Sequence, residues 1–186
     1  MAKLLYCMNT SLDGYVEDLD GGIDWSEPTE QVHTFINDLM RPVGTYLFGR
    51  RMYEMMNFWE TAHTIPDMPN YMLDFADVYR AADKVVFSTT LQSVSSANTR
   101  IERSFDSVAT RKLKADAERD LIIEGPNLAT QAIKAGLVDE IHQFVAPVIL
   151  GGGKKFFPDD IKLQLELIDE RSFDSGIVYL RHRVSN

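Results

Sequence analysis

The residues best suited to chemistry in this sequence surround a glycine that separates a strand-like run from a helical pattern. The stretch LIIEGPNLATQAIKAGL, residues 121–137, passes from apolar residues through Gly125 and Pro126 into an amphipathic pattern. The first N–H groups of a helix have no partner within it and favour negative charge, so this turn suits a phosphate group. The alternative is that Gly125 and Pro126 only turn the chain, since proline is tolerated at the first helical position.

A second strand, glycine and helix in succession carry two adjacent arginines. In LFGRRMYE, Gly49 is followed directly by Arg50 and Arg51. A guanidinium group presents a rigid set of donors that suits phosphate oxygens. We interpret this pair as a phosphate clamp, suited to the additional 2′-phosphate of NADPH. Paired arginines on a solvated helix face are the alternative interpretation.

Other motifs mainly exclude chemistries. The stretch LGGGKKFF, residues 150–157, lets backbone approach a ligand beside Lys154 and Lys155, but it lacks the glycine spacing and the hydroxyl residue of an ATP-binding loop. The sequence contains no G-x-G-x-x-G, no G-x-S-x-G, no paired cysteines and only scattered histidines. It therefore predicts no Rossmann site, no serine hydrolase and no metal site.

Composition places the chain among single-domain proteins, which we expect to span residues 1–186. It has 45% hydrophobic residues and a net charge of −9, which disfavours nucleic acid and anionic membranes as partners. The single cysteine, Cys7, cannot form an internal disulfide, and no secretory signal or apolar run of about 20 residues is present. These features predict a cytoplasmic protein.

The elements that must position these residues follow from apolar periodicity. Strands and helices are predicted in alternation, and two C-terminal segments alternate apolar with polar residues as antiparallel strands do. Residues 10–22 are predicted as a long surface loop, and residues 95–102 are ambiguous. The pattern indicates an α/β fold with a mixed sheet; the predicted strands are 3–9, 44–49, 83–91, 120–125, 138–150, 161–173 and 176–184, and the predicted helices are 26–40, 50–60, 71–82, 104–116 and 126–136.

Five stretches, in order, resemble the signature blocks of the dihydrofolate reductase-like superfamily: MNTSLDGYVED, LFGRRMYE, KVVFSTTL, LIIEGPNLATQAI and GLVDEIHQFVAPVILGGGKKFF. They are most similar to the reductase domain of bacterial riboflavin biosynthesis and its stand-alone relatives. The resemblance implies a three-layer α/β/α fold whose mixed sheet has about eight strands and ends in a C-terminal antiparallel pair.

The resemblance also implies an activity. It implies NADPH as cofactor, hydride transfer to a pterin-like or pyrimidine small-molecule substrate of the 5-amino-6-ribosylaminouracil type, and a homodimer. One alternative is a non-catalytic nucleotide-binding or interaction protein on the same scaffold. A second is a structural dimer without affinity for nucleotides.

The cofactor-binding residues come from the resemblance, block by block. The adenosine phosphate and the adenine ribose are implied to lie beside Gly49, Arg50, Arg51, Ser88 and Thr89. The pyrophosphate turn is matched by Gly125, Pro126, Asn127, Leu128 and Ala129. The nicotinamide is implied to lie beside the first strand end and mobile loop, matched by Asn9, Ser11, Asp13 and Gly14, with a far wall matched by Pro147, Leu150, Gly151 and Gly152.

The relatives usually carry two glycines joined by a cis peptide where this chain has Gly125 and Pro126. Proline adopts cis at a cost of only about 0.5–1 kcal/mol. We therefore predict a cis bond here, with Asn127 and Leu128 supplying the remaining N–H donors.

Reduction of a carbon–nitrogen or carbon–oxygen double bond also needs a proton. The resemblance implies an acid in the first helix after a tryptophan; Glu30 follows Trp25 here, and Asp13 on the loop is the competing candidate. For either acid the alternative is an exposed carboxylate without a catalytic role. The substrate is expected beside Trp25 and Pro147, with Lys154 and Lys155 binding a ribosyl or ribityl phosphate.

Overall fold

The computed structural model describes residues 1–185. The strands are β1 (Leu4–Thr10), β2 (Tyr15–Glu17), β3 (Val43–Gly49), β4 (Asp83–Phe87), β5 (Thr99–Glu102), β6 (Asp120–Glu124), β7 (Glu140–Val145), β8 (Lys154–Lys155), β9 (Gln164–Ser172) and β10 (Val178–Ser185). The α-helices are α1 (Glu30–Met40), α2 (Arg50–Met56), α3 (Phe58–Thr61), α4 (Asn70–Ala81), α5 (Ser107–Asp116) and α6 (Pro126–Lys134).

Eight strands form the central sheet in the order β5-β4-β3-β6-β1-β7-β10-β9. The first six are parallel to one another, whereas β10 runs antiparallel to both β7 and β9. One core packs against α1, α2 and α4, and a second core on the opposite face packs against α5 and α6. The predicted three-layer fold with a C-terminal antiparallel pair is therefore confirmed.

The central strands are apolar throughout because helices cover both of their faces. In β6, the run Leu121–Ile123 is fully buried, and the neighbouring β3 buries Tyr46, Leu47 and Phe48 completely. Alternate residues of these strands contribute to the two different cores. This packing holds the carboxyl ends of β1, β3 and β6 in a fixed relation.

The predicted loop over residues 10–22 differs in part, because it contains the short strand β2, which pairs antiparallel with β8. At Gly153, a Cβ atom would lie 1.9 Å from the carbonyl oxygen of Glu17. The two segments approach this closely only because glycine has no side chain. The predicted strand over 138–150 also ends earlier, at Val145, where the backbone turns so that the N–H of Val148 donates to the oxygen of Ala146.

Two further predictions are refined. The ambiguous segment 95–102 contributes the edge strand β5, and the predicted helix over 50–60 divides into α2 and α3 at Asn57. Across residues 1–185, none of the helices combines the length and the apolarity that crossing a bilayer requires. The same residues contain no group of three or more His, Cys, Asp or Glu side chains arranged to hold a metal ion.

Candidate functional site

Two glycine-marked strand ends lie side by side at the carboxyl edge of the sheet. Strands β3 and β6 are parallel neighbours, with Phe48 opposite Glu124. Gly49 and Gly125 follow these residues directly, so α2 and α6 both begin at this edge. Ligands of open α/β sheets bind outside the carboxyl ends of the strands, particularly where the strand order reverses.

A cavity of about 420 Å³ opens at this edge. Its volume lies in the range typical of small-molecule sites. It is lined by nine of the residues predicted from sequence: Asn9, Gly49, Arg50, Arg51, Gly125, Pro126, Asn127, Leu128 and Lys154. The tertiary structure therefore brings together both glycine-marked turns, the arginine pair, the end of β1 and one lysine of the glycine-rich segment.

The start of α6 is open toward the cavity. Gly125 has φ of 97°, a conformation that glycine adopts without steric cost, and the N–H of Ala129 donates to its carbonyl oxygen at 3.0 Å. No side chain caps this helix, so the N–H groups of Asn127 and Leu128 are left for a ligand. A Cβ at Gly125 would meet only Met52, at 3.8 Å, which leaves room for close approach to the backbone.

The prediction of a cis bond between Gly125 and Pro126 is wrong. Residues 1–185 contain no cis peptide bond. The positive φ of Gly125 makes the turn by itself, and Pro126 then occupies the first helical position in the ordinary trans form. The two amide donors expected at Asn127 and Leu128 are retained without the cis bond.

The cationic side chains at the rim are held by acidic partners. Arg51 donates to Glu17 at 2.8 Å and to the carbonyl oxygen of Gly21 at 3.1 Å, and Lys154 lies 3.7 Å from the same carboxylate. Arg50 donates to Glu54 at 2.7 Å. Because these partners are partly exposed, an entering phosphate can compete with them for the guanidinium groups.

Arg50 also connects the cavity to the end of β4, where Ser88 and Thr89 lie. Its Nη1 donates to the hydroxyl of Thr90 at 2.9 Å. The Ser88 hydroxyl is buried and accepts from the N–H groups of Thr90 and Leu91. Ser88 and Thr89 therefore lie near Arg50, although neither lines the cavity.

The loop residues expected near the nicotinamide instead join two segments of chain. The Asp13 carboxylate accepts from the N–H groups of Leu150 at 3.1 Å and Gly151 at 2.7 Å. Hydrogen bonds from the Ser11 hydroxyl and these two amides lower the pKa of Asp13. Gly14 accepts from the N–H of Phe156 at 2.9 Å, outside the cavity lining. This geometry gives Asp13 a structural task, and it offers no support for proton donation.

The remaining predicted residues also lie outside the cavity lining. Glu30 is exposed at the first position of α1, and Trp25 donates from its indole nitrogen to the oxygen of Gly22 at 3.2 Å. Lys155 pairs with Asp159 at 2.6 Å on the surface. The others in this group are Ala129, buried in the second core, Pro147, which lies beside Gly176, and Gly152, which lies against Leu19.

Sequence reasoning missed the acid that lines the cavity. Glu124 is the last residue of β6 and is only 8% exposed, and its Oε2 atom has no hydrogen-bond partner among residues 1–185. Burial raises the pKa of Glu124 to about 8, so its carboxyl group is mainly protonated at neutral pH. The available signal was a carboxylate that ends an otherwise apolar buried strand, directly before a glycine.

Much of the remaining cavity lining is apolar. The sequence favours core packing for the methionines of α2, with a pliable pocket wall as the alternative, and the structure places them in the wall. Three methionines on α2 contribute to it, with Met52 next to Gly125, and Trp59 of α3 and Phe75 of α4 form the part that we call the apolar end. His33 of α1 is 6% exposed and lines this end as well. The remaining residues of this wall include Ile36, Met40 and Phe144. A flat, largely apolar group fits this end, while charged groups fit the rim formed by the arginines.

Comparison with known proteins identifies relatives along the whole chain. The model of the RibD C-terminal domain family matches residues 2–179. Uncharacterized protein YyaP of Bacillus subtilis (strain 168) is 27% identical over 184 residues, which cover 96% of this chain and 93% of YyaP. Uncharacterized protein YwjB of the same organism is 25% identical over 169 residues, covering 88% of this chain and 89% of YwjB.

Solved structures share the fold at low sequence identity. A putative riboflavin biosynthesis protein from Shewanella sp. PV-4 superposes with a TM-score of 0.75 at 23% identity, with both chains covered completely. The dihydrofolate reductase of Enterococcus faecalis, complexed with NADP(H), gives a TM-score of 0.65 at 14% identity, covering 99% of this chain and 97% of that one. A deaminase/5-amino-6-(5-phosphoribosylamino)uracil reductase from Thermotoga maritima gives 0.68 at 14% identity, covering 99% of this chain and 57% of that one.

Proposed function

We propose that this chain, which belongs to the RibD C-terminal domain family, is an NADPH-dependent reductase that transfers a hydride to a pterin-like or pyrimidine substrate. The family, and the reductases that share its fold, support oxidoreductase chemistry. The observation that carries the proposal is the convergence of two glycine-marked helix starts and an arginine pair on one cavity.

The residues present fit a phosphorylated dinucleotide. At the α6 start, the free N–H groups of Asn127 and Leu128 and the open backbone at Gly125 suit a pyrophosphate. Arg50 and Arg51, at the start of α2 beside the neighbouring strand end, suit the 2′-phosphate that distinguishes NADPH from NADH. These contacts would orient the cofactor so that its nicotinamide reaches the apolar end of the cavity.

A bound reduced nicotinamide would supply the hydride, and the protein would position the substrate, exclude water and donate a proton. The buried aromatic side chains of the cavity and the methionines beside them would exclude water from the reacting carbon. Glu124 holds a proton at neutral pH because burial raises the pKa of its carboxyl group to about 8. We assign Glu124 as the proton donor in place of Glu30 and Asp13, which do not line the cavity.

The substrate proposal draws on two features of the site. A flat heterocycle suits the apolar end, and Lys154 at the rim suits a ribosyl or ribityl phosphate. The similar structure from Thermotoga maritima is named as a 5-amino-6-(5-phosphoribosylamino)uracil reductase, so an aminouracil is the first compound to assay. A homodimer remains our expectation, to be checked by sedimentation of the purified protein.

Calorimetric titration of the purified protein with NADPH, NADP⁺ and NADH tests the proposal. We expect NADPH to bind in preference to NADH, and aminouracils or dihydropterins to be reduced with matching loss of absorbance from the cofactor. Absence of binding by either redox form of the phosphorylated cofactor would overturn the proposal. Tight binding without turnover of any pterin, pyrimidine or quinone would instead favour a non-catalytic nucleotide-binding protein.

A further inference from the structure

His33 is a buried polar side chain at the apolar end of the cavity, and the reaction outlined above does not use it. It lies on α1 and is 6% exposed. Three aromatic rings contact its imidazole edge-on, with centroid distances of 5.5 Å to Trp59, 5.1 Å to Tyr71 and 5.5 Å to Phe75. Because Trp59 and Phe75 also line the cavity, the imidazole belongs to the wall of its substrate end.

The hydrogen bonds of Asn37 determine which imidazole nitrogen carries the proton. Asn37 Nδ2 donates to the carbonyl oxygen of Tyr71 at 2.8 Å and to the Asp74 carboxylate at 2.7 Å. Both partners are acceptors, so the amide nitrogen must point toward them, and Oδ1 is left facing His33 Nδ1 at 3.1 Å. Because Oδ1 can only accept, Nδ1 must donate, and the proton of a neutral His33 lies on Nδ1.

The network beyond Asn37 strengthens this assignment. The two Asp74 oxygens accept from Arg41 Nη2 at 2.8 and 2.7 Å. Burial would raise the pKa of Asp74, but hydrogen bonds from Arg41 and Asn37 outweigh it and lower that pKa. Asp74 is therefore an ionised acceptor that holds the Asn37 amide in one orientation. Burial lowers the pKa of His33, against a smaller opposing effect of Asn37, so the imidazole is neutral at physiological pH.

With Nδ1 committed to Asn37, the second ring nitrogen is an acceptor. No group in residues 1–185 hydrogen-bonds to Nε2 of His33. We infer that His33 Nε2 is a substrate-recognition group, and that the substrate is a flat heterocycle whose ring N–H donates to it. The inference deepens the proposed function, on which it rests for the identification of this end of the cavity as the substrate site.

The surroundings give this acceptor its selectivity. Ile36, Met40 and Met56 also line the cavity, and none of these side chains carries an N–H or O–H group that could donate to Nε2 in place of the substrate. A site built to hydrogen-bond a substrate group rejects analogues that lack it, because the bound analogue covers the polar atom and leaves it unpaired. A ring whose nitrogen is methylated should therefore bind at least about tenfold more weakly than the corresponding N–H compound.

The tautomer is measured directly on the wild-type protein without any ligand. Long-range ¹H–¹⁵N spectra of histidine-labelled protein at pH 7 distinguish a protonated ring nitrogen from an unprotonated one. We expect Nδ1–H and a bare Nε2 for His33. His142 provides an internal reference of opposite sense, because its Nε2 faces the Glu140 carboxylate at 3.2 Å and its Nδ1 faces the hydroxyl of Tyr179. A proton on Nε2 of His33 would overturn the inference.

Recognition is tested with 5,6-diaminouracil and 5,6-diamino-1,3-dimethyluracil, which differ only in methylation of the ring nitrogens. Their dissociation constants are measured with and without saturating NADP⁺. The wild type should prefer the N–H compound at least tenfold, His33→Phe should lose that preference, and His33→Gln, which restores an acceptor, should recover part of it. As a control, His63→Phe should leave the preference intact, because His63 is exposed and does not line the cavity.

The outcomes separate this inference from the proposed function. A preference that persists in His33→Phe, or failure of the wild type to bind either uracil while NADPH binds, overturns the inference and leaves the cofactor assignment standing. A preference that depends on His33 in a protein that binds no NADPH removes the proposed reductase and retains the recognition group. If His33→Phe does not fold, the tautomer measurement and His33→Gln still decide the question.

Discussion

Phe48 and Glu124 are register partners on the parallel neighbours β3 and β6. This pairing places Gly49 and Gly125 next to each other, because each glycine follows one of the paired residues directly. One sheet edge therefore carries the arginine pair, the open start of α6 and the buried carboxyl group of Glu124. The register of two strands thus brings the proposed phosphate-binding residues and the proposed proton donor to the same cavity.

Removal of the arginine pair should change cofactor preference. We expect Arg50→Ala/Arg51→Ala to raise the dissociation constant of NADPH at least tenfold, since charge-assisted hydrogen bonds contribute about 1.5–3 kcal/mol and 1.4 kcal/mol is tenfold. NADH, which lacks the 2′-phosphate, should be affected far less. Calorimetry against the charge-matched variant Arg100→Ala/Arg111→Ala, whose side chains lie outside the cavity lining, provides the control. Equal losses for both cofactors would contradict a phosphate clamp.

Replacement of the buried acid should slow reduction and change its pH profile. Because the pKa of Glu124 is raised to about 8, the wild-type kcat/KM should fall as pH rises through that value and the carboxyl group loses its proton. Glu124→Gln should lower kcat about 10²–10⁴-fold and abolish this alkaline limb. Steady-state assays between pH 6 and pH 9 measure both effects. Glu30→Gln tests the assignment made from the sequence. If this variant, and not Glu124→Gln, shows the fall in kcat and the lost alkaline limb, Glu30 is the proton donor.

The same carboxyl group should make folding stability depend on pH. Between the ordinary pKa of 4.5 and the folded-state value of about 8, unfolding releases a proton from Glu124, so the free energy of unfolding falls as pH rises. Each pKa unit corresponds to about 1.4 kcal/mol, so the effect should amount to a few kcal/mol. In urea unfolding, the free energy of unfolding of Glu124→Gln should rise relative to that of the wild type between pH 5 and pH 8. The exposed Glu54→Gln should not, and parallel curves for all three proteins would refute the assignment.

A buried carboxylate far from the cavity should be a major stabilising group. Glu140 is 2% exposed; burial alone would raise its pKa, but hydrogen bonds from His142, Arg181 and Lys3 outweigh it and lower that pKa. Its contribution is therefore lost as pH falls below the ordinary range of a carboxyl group. Glu140→Gln should cost about 3 kcal/mol at pH 7 by urea unfolding. Glu166→Gln, at an exposed ion pair, should cost below about 1 kcal/mol, and similar costs would contradict this account.

The sequence by itself determined the layer architecture and the two glycine-marked turns that line the cavity. Continuous apolar runs predicted the buried parallel strands, alternation predicted the antiparallel pair β9 and β10, and the resemblance to reductases of riboflavin biosynthesis is confirmed by the family match. The two glycine-marked turns were recognisable from the sequence because each consists of consecutive residues: the end of a strand, a glycine and the start of a helix.

Only the tertiary structure decided which acid and which imidazole face the cavity. Glu124 and His33 lie far apart in sequence, and each resembles an ordinary polar residue within its own element. Burial and unpaired hydrogen-bonding atoms arise from packing between elements, so the pKa of Glu124 and the tautomer of His33 are properties of the fold. Conversely, Asp13 and Glu30 have local patterns typical of functional acids, and packing leaves both outside the cavity lining.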